Sequence, residues 1–124
     1  MDPEHRLFLL VGDHQLGVFD LANGWAYTDL SASLTGCEWL ASQPYPGLAY
    51  DPSQRVVVGW AGGATVYLID LAAKRCTTRA FSENAPGPQL GNGTNGRFRY
   101  FPGLAGFILA NDPDDDVYVL KLAP

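Results

Sequence analysis

The chain has 124 residues and a mass of 13.4 kDa, enough for one domain and too little for two ordinary ones. Its 14 glycines and 9 prolines interrupt helices, which excludes a helical bundle, and its 47% hydrophobic content excludes a disordered polypeptide. A net charge of -5, with only eight Lys and Arg residues, excludes nucleic acid and anionic membrane surfaces as partners.

The chain begins with short apolar segments separated by turn residues. Leu7–Val11 is the longest aliphatic and aromatic run, five residues, and is too short to span a membrane. The acidic stretch before it lacks the features of a signal peptide, so we expect neither an export signal nor a transmembrane segment. Farther on, Asn23-Gly24 is the residue pair most typical of a tight hairpin turn.

The middle of the chain repeats the beginning. Asp51–Arg55 and the strand after it match Asp2–Arg6 and its following strand at a shift of 49. Val66–Ala72 matches Leu16–Ala22 at a shift of 50 and Val117–Ala123 at a shift of 51. The three matches indicate a repeat of about 50 residues.

Each repeat is predicted to form short antiparallel strands. Central segments such as Val56–Val58 are apolar at every position, which is typical of strands covered on both faces. We expect Val56–Trp60 and Val66–Leu71 to be adjacent antiparallel partners, and no helix longer than two turns. The predicted strands of the middle and last repeats are Gly47–Tyr50, Arg55–Ala61, Thr65–Leu71, Cys76–Phe81, Arg97–Phe101, Gly106–Ala110 and Asp116–Leu122.

Four strands per repeat, buried by neighbouring repeats, are typical of a propeller blade. We therefore predict an all-β fold, a partial β-propeller of about ten antiparallel strands in four-stranded repeats of about 50 residues. Residues 1–124 form one propeller segment, divided into a partial blade (1–35), a full blade (36–84) and a partial blade (85–124).

Two stretches carry a family resemblance. Val66–Leu71, followed by a polar turn and a Thr-rich strand, is similar to the third and fourth strands of a kelch repeat. Gly93–Pro102, with Phe107–Asn111 and Val117–Val119, resembles the last blade of bacterial kelch-like propellers of the galactose-oxidase type. The resemblance implies the C-terminal two and a half blades of such a propeller. Proteins of this kind are often secreted, and many contact sugars or other proteins.

The resemblance is structural and does not extend to the oxidase chemistry. The copper-ligand tyrosines and histidines of the oxidase have no counterpart in this sequence. Gly62-Gly63 lies after the second strand of its repeat, and Cys76 stands near the position where the family usually has a tryptophan. We expect no cofactor.

Cys37 and Cys76 are the only cysteines, and the only histidines are His5 and His14. This set lacks the usual ligand spacing of a zinc site, and we expect no metal. The cysteines either form one disulfide or remain two buried thiols. We expect the thiols, because free cysteine is among the most buried residue types and two cysteines are no disulfide framework.

Alternate loops of an antiparallel meander emerge at the same end, so several loops should share one face. Long loops on a rigid scaffold are where binding usually occurs. The loops expected on this face are Gly12–Gln15, Gly36–Pro46, Ala61–Ala64, Glu83–Gly96 and Asn111–Asp115.

The strongest ligand-binding candidates lie at the start of the innermost strand of the last repeat. Asn95, Arg97, Arg99 and Tyr100 could form a polar cluster at the channel mouth that grips an anionic or sugar ligand. Alternatively, the two arginines bridge blades by bonding to carbonyls and acids, because buried arginines must be paired. We expect the bridging role.

Two other polar segments are candidates for chemistry. Asp13 and His14 could provide a general base, and they are kept as ligand-binding candidates. The sequence places no serine or cysteine nucleophile near them, so we expect no catalytic residues. Asp112–Asp116 could hold calcium but lacks the alternating spacing and the glycine of a calcium loop, so we expect a solvated acidic turn.

Two functions remain open. The first is a non-catalytic β-propeller interaction or ligand-binding module that self-associates, with a carbohydrate or protein as its ligand. The alternative is the C-terminal fragment of a larger secreted carbohydrate-active propeller enzyme. Trp25, Trp39 and Trp60 could stack on sugars, but we expect them in the core between blades.

Self-association follows from the incomplete ring. Two and a half blades cannot close, and repeat units cannot bury their apolar faces alone. Leu7–Leu9 and Phe107–Leu109 should be bare at the two ends, and Val117–Leu122 should have an unpaired edge. We expect a homodimer in preference to a trimer.

Overall fold

The structure, a computed structural model, describes residues 1–81 and 83–122 and consists mainly of strands. None of the described helices is long and apolar enough to cross a membrane. Single 3-10 turns lie at Leu21–Asn23, Asn95–Arg97 and Pro102–Leu104. The other elements are β1 (Leu7–Gly12), β2 (Gln15–Asp20), β3 (Ala26–Asp29), α1 (Glu38–Ser42), β4 (Gly47–Asp51), β5 (Val56–Trp60), β6 (Thr65–Asp70), β7 (Arg75–Ala80), β8 (Phe98–Phe101), β9 (Gly106–Leu109) and β10 (Tyr118–Leu120).

The strands form three antiparallel meanders. Sheet 1 has the order β1-β2-β3, sheet 2 the order β4-β5-β6-β7, and sheet 3 the order β8-β9-β10. β5 and β6 are adjacent partners, with Val57 opposite Ile69. The predicted all-β class, the number of strands and the pairing of these two segments are therefore confirmed.

The turn before β1 has the same structure as the turn before β5. Asp2 and Asp51 are both buried, and the Oδ1 atom of each accepts hydrogen bonds from the amides two and three positions later, at 2.9–3.3 Å. Arg6 and Arg55 then adopt left-handed backbone conformations, with φ of 55° and 58°. Because buried polar groups need partners, each carboxylate stabilises one turn geometry. The matching sequences therefore form matching turns.

Sheet 2 is buried on both faces because its central strands alternate between two hydrophobic clusters. In β5, Val57 belongs to the first cluster and Val58 to the second, and in β6 Ile69 and Leu68 divide in the same way. Successive side chains of a strand point to opposite faces, so an unbroken apolar segment fills both clusters. The first cluster also contains Leu9, Leu16 and Val18 of sheet 1, and the second contains Phe98, Phe107 and Leu109 of sheet 3.

The same alternation corrects the expectation that Leu7–Leu9 and Phe107–Leu109 are bare at the two ends. In the first segment only Phe8 points away from the first cluster, and its side chain is 45% exposed. In the second segment only Ile108 points outward, because both of its neighbours are buried in the second cluster. At each end, therefore, only every second residue of the apolar segment points outward.

A disulfide joins Cys37 to Cys76, so the expectation of two free thiols is wrong. Both residues are buried, and their Cα atoms lie 5.9 Å apart, within the range that a disulfide spans. Cys37 directly precedes α1, and Leu40 of α1 is buried in the first cluster. Cys76 lies in β7. The bond therefore holds α1 and its loop against the last strand of sheet 2.

Reduction of this disulfide is expected to lower the free energy of unfolding by about 4 kcal/mol, because the unfolded chain loses a covalent loop between residues 37 and 76. Urea unfolding with and without a phosphine reductant measures the change. The Cys37→Ala, Cys76→Ala double variant is the control, since it should unfold near the reduced midpoint and ignore the reductant. Equal midpoints for the oxidised and reduced chain would contradict the prediction.

Candidate functional site

The five loops expected on one face do lie together, and hydrogen bonds connect each of them to a neighbour. We call this surface the loop face: residues 12–15, 36–46, 61–64, 83–96 and 111–115. The bonds run from the Asp13 amide to the Gln43 carbonyl, from the Thr94 amide to the Tyr45 carbonyl, from the Gly63 amide to the Gly87 carbonyl and from Asn111 Nδ2 to the Pro88 carbonyl, at 2.9–3.0 Å. The loops therefore form one continuous surface.

The predicted arginine cluster stabilises its own segment of the loop face. The Arg97 guanidinium donates to the carbonyl of Gly93, and its Nε lies buried without a hydrogen-bond acceptor among the described residues. Arg99 Nε donates to the carbonyl of Gly96 at 2.9 Å. Both arginines bond to carbonyls, as expected, but these carbonyls lie three or four residues away. The bonds therefore fix a loop and do not bridge two sheets.

Asn95 and Tyr100 also have structural surroundings. Asn95 Nδ2 donates to the carbonyl of Asn92 at 3.1 Å. Tyr100 packs against the second cluster, with its ring edge-on to Phe107 at a centroid distance of 5.2 Å. Only Arg99 and Tyr100 of the four candidates line a shallow groove of about 340 Å3 between β4 and β8.

Asp13 and His14 lie apart from the arginine cluster, in the turn between β1 and β2. Both are exposed, and both have left-handed backbone conformations, with φ of 51° and 67°. Their amides donate to residues 43 and 41, whereas the Asn95 amide donates to the carbonyl of Tyr45. The two predicted groups therefore contact different residues of the segment 41–46, and these bonds do not bring them together into one site.

The acidic segment Asp112–Asp116 forms a turn that satisfies its own backbone. Asp112 Oδ1 accepts from the Asp114 amide at 2.9 Å, and Asp115 Oδ1 accepts from the Asp116 amide at 2.8 Å. Within residues 1–81 and 83–122, no group of three His, Cys, Asp or Glu side chains is arranged to hold a metal ion. Asp114–Asp116 are exposed to solvent, consistent with the expected acidic turn.

Sequence reasoning missed a groove of about 560 Å3 on the loop face. Trp39 forms one wall, with its side chain 47% exposed and its ring stacked on Tyr67 at 6.0 Å and 16°. The expectation of a core position is wrong for Trp39 and for the exposed Trp25, and it is confirmed for Trp60. No lining residue of this groove is charged. The other lining residues are Gln43, Pro44, Ala61, Gly62, Gly63 and the segment 86–91.

No protein-family model, no curated protein and no solved structure matches the chain. We therefore argue the function of the protein from its described residues.

A second polar cluster joins the chain start to sheet 1. The Oδ2 atom of buried Asp2 lies 2.8 Å from His5 Nδ1, and this hydrogen bond, with smaller help from nearby carboxylates, raises the pKa of His5. A raised pKa means that the folded chain binds the proton more tightly than the unfolded chain. The resulting stabilisation is present below the ordinary pKa of about 6.5 and is lost as the pH rises through the raised value.

Asp2→Asn is expected to return the pKa of His5 toward its ordinary value, because the charged acceptor is removed. An NMR titration of the His5 ring protons measures this change. Asp51→Asn is the matched control, since Asp51 closes the equivalent turn next to β5 and has no histidine partner. The assignment would be wrong if Asp2→Asn left the His5 titration curve unchanged.

Proposed function

We propose that the chain is a partial kelch-like β-propeller that acts as a non-catalytic interaction module and pairs with a second copy of itself. One observation carries the proposal: the three sheets stack in the same way at each step. The equivalent strands β1, β5 and β9 use equivalent positions to contact the neighbouring sheets. Repetition of this kind is typical of propeller blades.

One set of equivalent positions marks the face that covers the preceding sheet. Val57 is buried in the first cluster, against sheet 1, and Phe107, 50 residues later, is buried in the second cluster, against sheet 2. Phe8 lies 49 residues before Val57 in the equivalent strand of sheet 1, and it is exposed. The outer face of sheet 1 is therefore built to cover a preceding sheet.

The opposite set of positions marks the face that a following sheet covers. Leu9 contacts sheet 2 in the first cluster, and Val58 contacts sheet 3 in the second. Ile108 is the equivalent residue of sheet 3, where it lies on the outer face between Arg99 and Val119. Val119 is 56% exposed. The outer faces of sheets 1 and 3 are therefore equivalent to the two opposite sides of an internal contact between sheets, and each is suited to pack against the other.

Both outer faces carry exposed apolar side chains. On sheet 1, Phe8, Phe19 and Tyr27 form one row across the three strands, with the rings of Phe19 and Tyr27 5.0 Å apart. On sheet 3, Phe101 and Val119 are exposed. Contiguous exposed apolar residues mark interaction surfaces in soluble proteins. Burial of these two faces supplies the driving force for association.

Charge on the two faces favours contact between unlike ends. Asp29 lies opposite Gly17 on the outer face of sheet 1, and hydrogen bonds from the hydroxyl and amide of Ser31 lower the pKa of Asp29. Arg99 lies on the outer face of sheet 3. A carboxylate on one face and a guanidinium on the other favour head-to-tail contact and oppose contact between like faces.

Two copies in head-to-tail contact at both ends close a ring of six sheets. This number lies within the usual range of about four to eight propeller blades. Head-to-tail interfaces produce closed rings when the rotation closes and filaments when it does not. A two-fold ring leaves neither outer face bare, which is why we favour the homodimer.

Phe8→Glu and Val119→Glu are each expected to convert the dimer into a monomer, because each places a charge in both copies of the interface. Light scattering behind a sizing column measures the mass. Trp25→Glu is the matched control, since Trp25 is an exposed aromatic residue in the turn before β3 and belongs to no strand of either face. A wild-type chain of 13.4 kDa at micromolar concentration would refute the proposal.

Mixing the two monomeric variants tests the head-to-tail geometry. The Phe8→Glu chain retains an intact sheet 3 face, and the Val119→Glu chain retains an intact sheet 1 face. The mixture should therefore form a heterodimer through one wild-type interface. Contact between like faces predicts instead that one of the two variants still forms a homodimer alone.

The groove beside Trp39 supports a second candidate function, the binding of a neutral carbohydrate. An exposed indole that is held by stacking on Tyr67 offers a rigid apolar platform, and the uncharged lining gives no counter-ion to a charged ligand. The Cys37–Cys76 disulfide is typical of oxidising compartments and so favours the secreted setting of a carbohydrate-active parent protein.

Trp39→Ala is expected to weaken binding of a neutral glucan hexasaccharide by about tenfold or more, because the stacking surface is lost. Isothermal titration calorimetry measures the affinity. Trp25→Ala, an exposed tryptophan outside the groove, should bind as the wild type does. The carbohydrate hypothesis fails if neutral glucan, mannan and galactan oligosaccharides all leave the wild type unbound.

A further inference from the structure

We infer that Asn23 is a site of spontaneous covalent modification, at which the Gly24 amide converts the asparagine into aspartate and isoaspartate with water as the co-reactant. The inference does not rest on the proposed function, because it concerns the turn between β2 and β3 and needs neither a partner chain nor a bound ligand.

The reaction begins with an attack within the chain. Base removes the proton of the Gly24 amide, and the amide nitrogen attacks Cγ of the Asn23 side chain. A bond forms between Gly24 N and Asn23 Cγ, the bond from Cγ to Nδ2 breaks, and the nitrogen leaves as ammonia after taking up a proton. Water then opens the cyclic imide at either of its carbonyl carbons. One opening gives aspartate, and the other gives isoaspartate, in which the backbone continues through the side chain.

The sequence offers more than one pair of residues suited to this reaction. Glycine favours the attack because it has no Cβ to hinder its amide nitrogen and its backbone rotates freely. The asparagines that precede a glycine are Asn23, Asn92 and Asn95. Their sequences are alike at the reacting pair, so the surroundings in the folded chain decide which of them reacts.

The pair Asn23 and Gly24 leaves both reacting groups free. Both residues are exposed, and neither the Asn23 side chain nor the Gly24 amide makes a hydrogen bond to another described residue. A Cβ atom added at Gly24 would meet no heavy atom within 4 Å beyond its chain neighbours. The rotation that brings the nitrogen onto Cγ therefore breaks no hydrogen bond of either group and is not obstructed by packing.

The other two pairs are held in the loop face. The Gly93 amide, which is the nucleophile of the second pair, donates to the Leu90 carbonyl at 2.9 Å, and Gly93 is buried. Asn95 Nδ2, which would leave as ammonia in the third pair, donates to the Asn92 carbonyl at 3.1 Å. The Asn95 amide also donates to the Tyr45 carbonyl. Each of these reactions must first break a hydrogen bond.

The modification acts on β3. In the described part of the chain β3 pairs with β2 alone, all four of its residues are exposed, and none belongs to either hydrophobic cluster. Isoaspartate adds one atom to the backbone between β2 and β3, and the length of a turn sets the register of a hairpin. Isoaspartate is therefore expected to loosen pairs such as Phe19 with Tyr27, whereas aspartate adds a charge and keeps the backbone length.

The experiment incubates the full folded chain in mildly alkaline buffer and digests reduced samples with trypsin for mass spectrometry. The peptide 7–55 contains Asn23 as its only asparagine, so the replacement of NH2 by OH in this peptide identifies the site. Asn23 is expected to react about tenfold faster than Asn92 or Asn95, which is about the factor that one protecting hydrogen bond gives. In guanidinium chloride the three rates should become similar, because no folded structure distinguishes the pairs.

Two variants test the attacking group and the effect of the product. Gly24→Asn is expected to slow the reaction by about tenfold or more, because the added side chain hinders the amide nitrogen while asparagine tolerates the left-handed φ of 63° at this position. Asn23→Asp is the matched control for charge. Amide exchange in β3 should stay at the wild-type rate in this variant and should become severalfold faster in the isolated isoaspartyl chain.

Three results would overturn the inference. The first is equal reaction rates at Asn23, Asn92 and Asn95 in the folded chain. The second is a folded structure that slows Asn23 as strongly as it slows the other two, relative to the rates in guanidinium chloride. The third is an unchanged rate in Gly24→Asn, which would exclude attack by the amide of residue 24.

Discussion

The structure depends on the burial of sheet 2 on both faces. β5 and β6 are apolar at nearly every position, so neither face of the sheet tolerates water. Sheets 1 and 3 supply the two covers, and each then has an outer face of its own. Sheets 1 and 3 are built on the same pattern as sheet 2. Their outer faces therefore also carry apolar side chains. The exposed Phe8 and Val119 are consequences of this repetition and not isolated surface residues.

The aspartate turns determine which side chains reach each cluster. A shift of one residue would move a whole strand's side chains to the other face. Asp2 and Asp51 place the following strand one fixed distance after a buried carboxylate, so Leu9 and Val58 arrive at equivalent positions. The disulfide adds a constraint of another kind, since it connects the loop before α1 to β7. Local turn chemistry thus sets register, and a long-range bond fixes one segment of the loop face, the loop that leads into α1.

Local patterns made the strands, the repeat and the shared loop face predictable, because each depends on residues close together in the chain. What escaped prediction depends on distant residues. The pairing of Cys37 with Cys76 needs contact across 39 positions, and the groove beside Trp39 combines loops that follow different strands. An unbroken apolar run such as Leu7–Val11 also does not state which alternate residues face inward. Which residues face inward is determined by the strands that pair with the segment and pack against it.

The acidic character of the chain is compatible with association because its largest concentration of charge lies away from the stacking faces. Four carboxylates occupy the turn Asp112–Asp116 on the loop face. The outer face of sheet 1 instead carries Asp29, and the outer face of sheet 3 carries cations of the opposite sign, Arg99 and Lys121. In the proposed ring, stacking would bury apolar side chains beside opposite charges, while the loop face would stay open to solvent. The groove beside Trp39 lies on the loop face and uses neither outer face, so ligand binding there is compatible with the proposed ring.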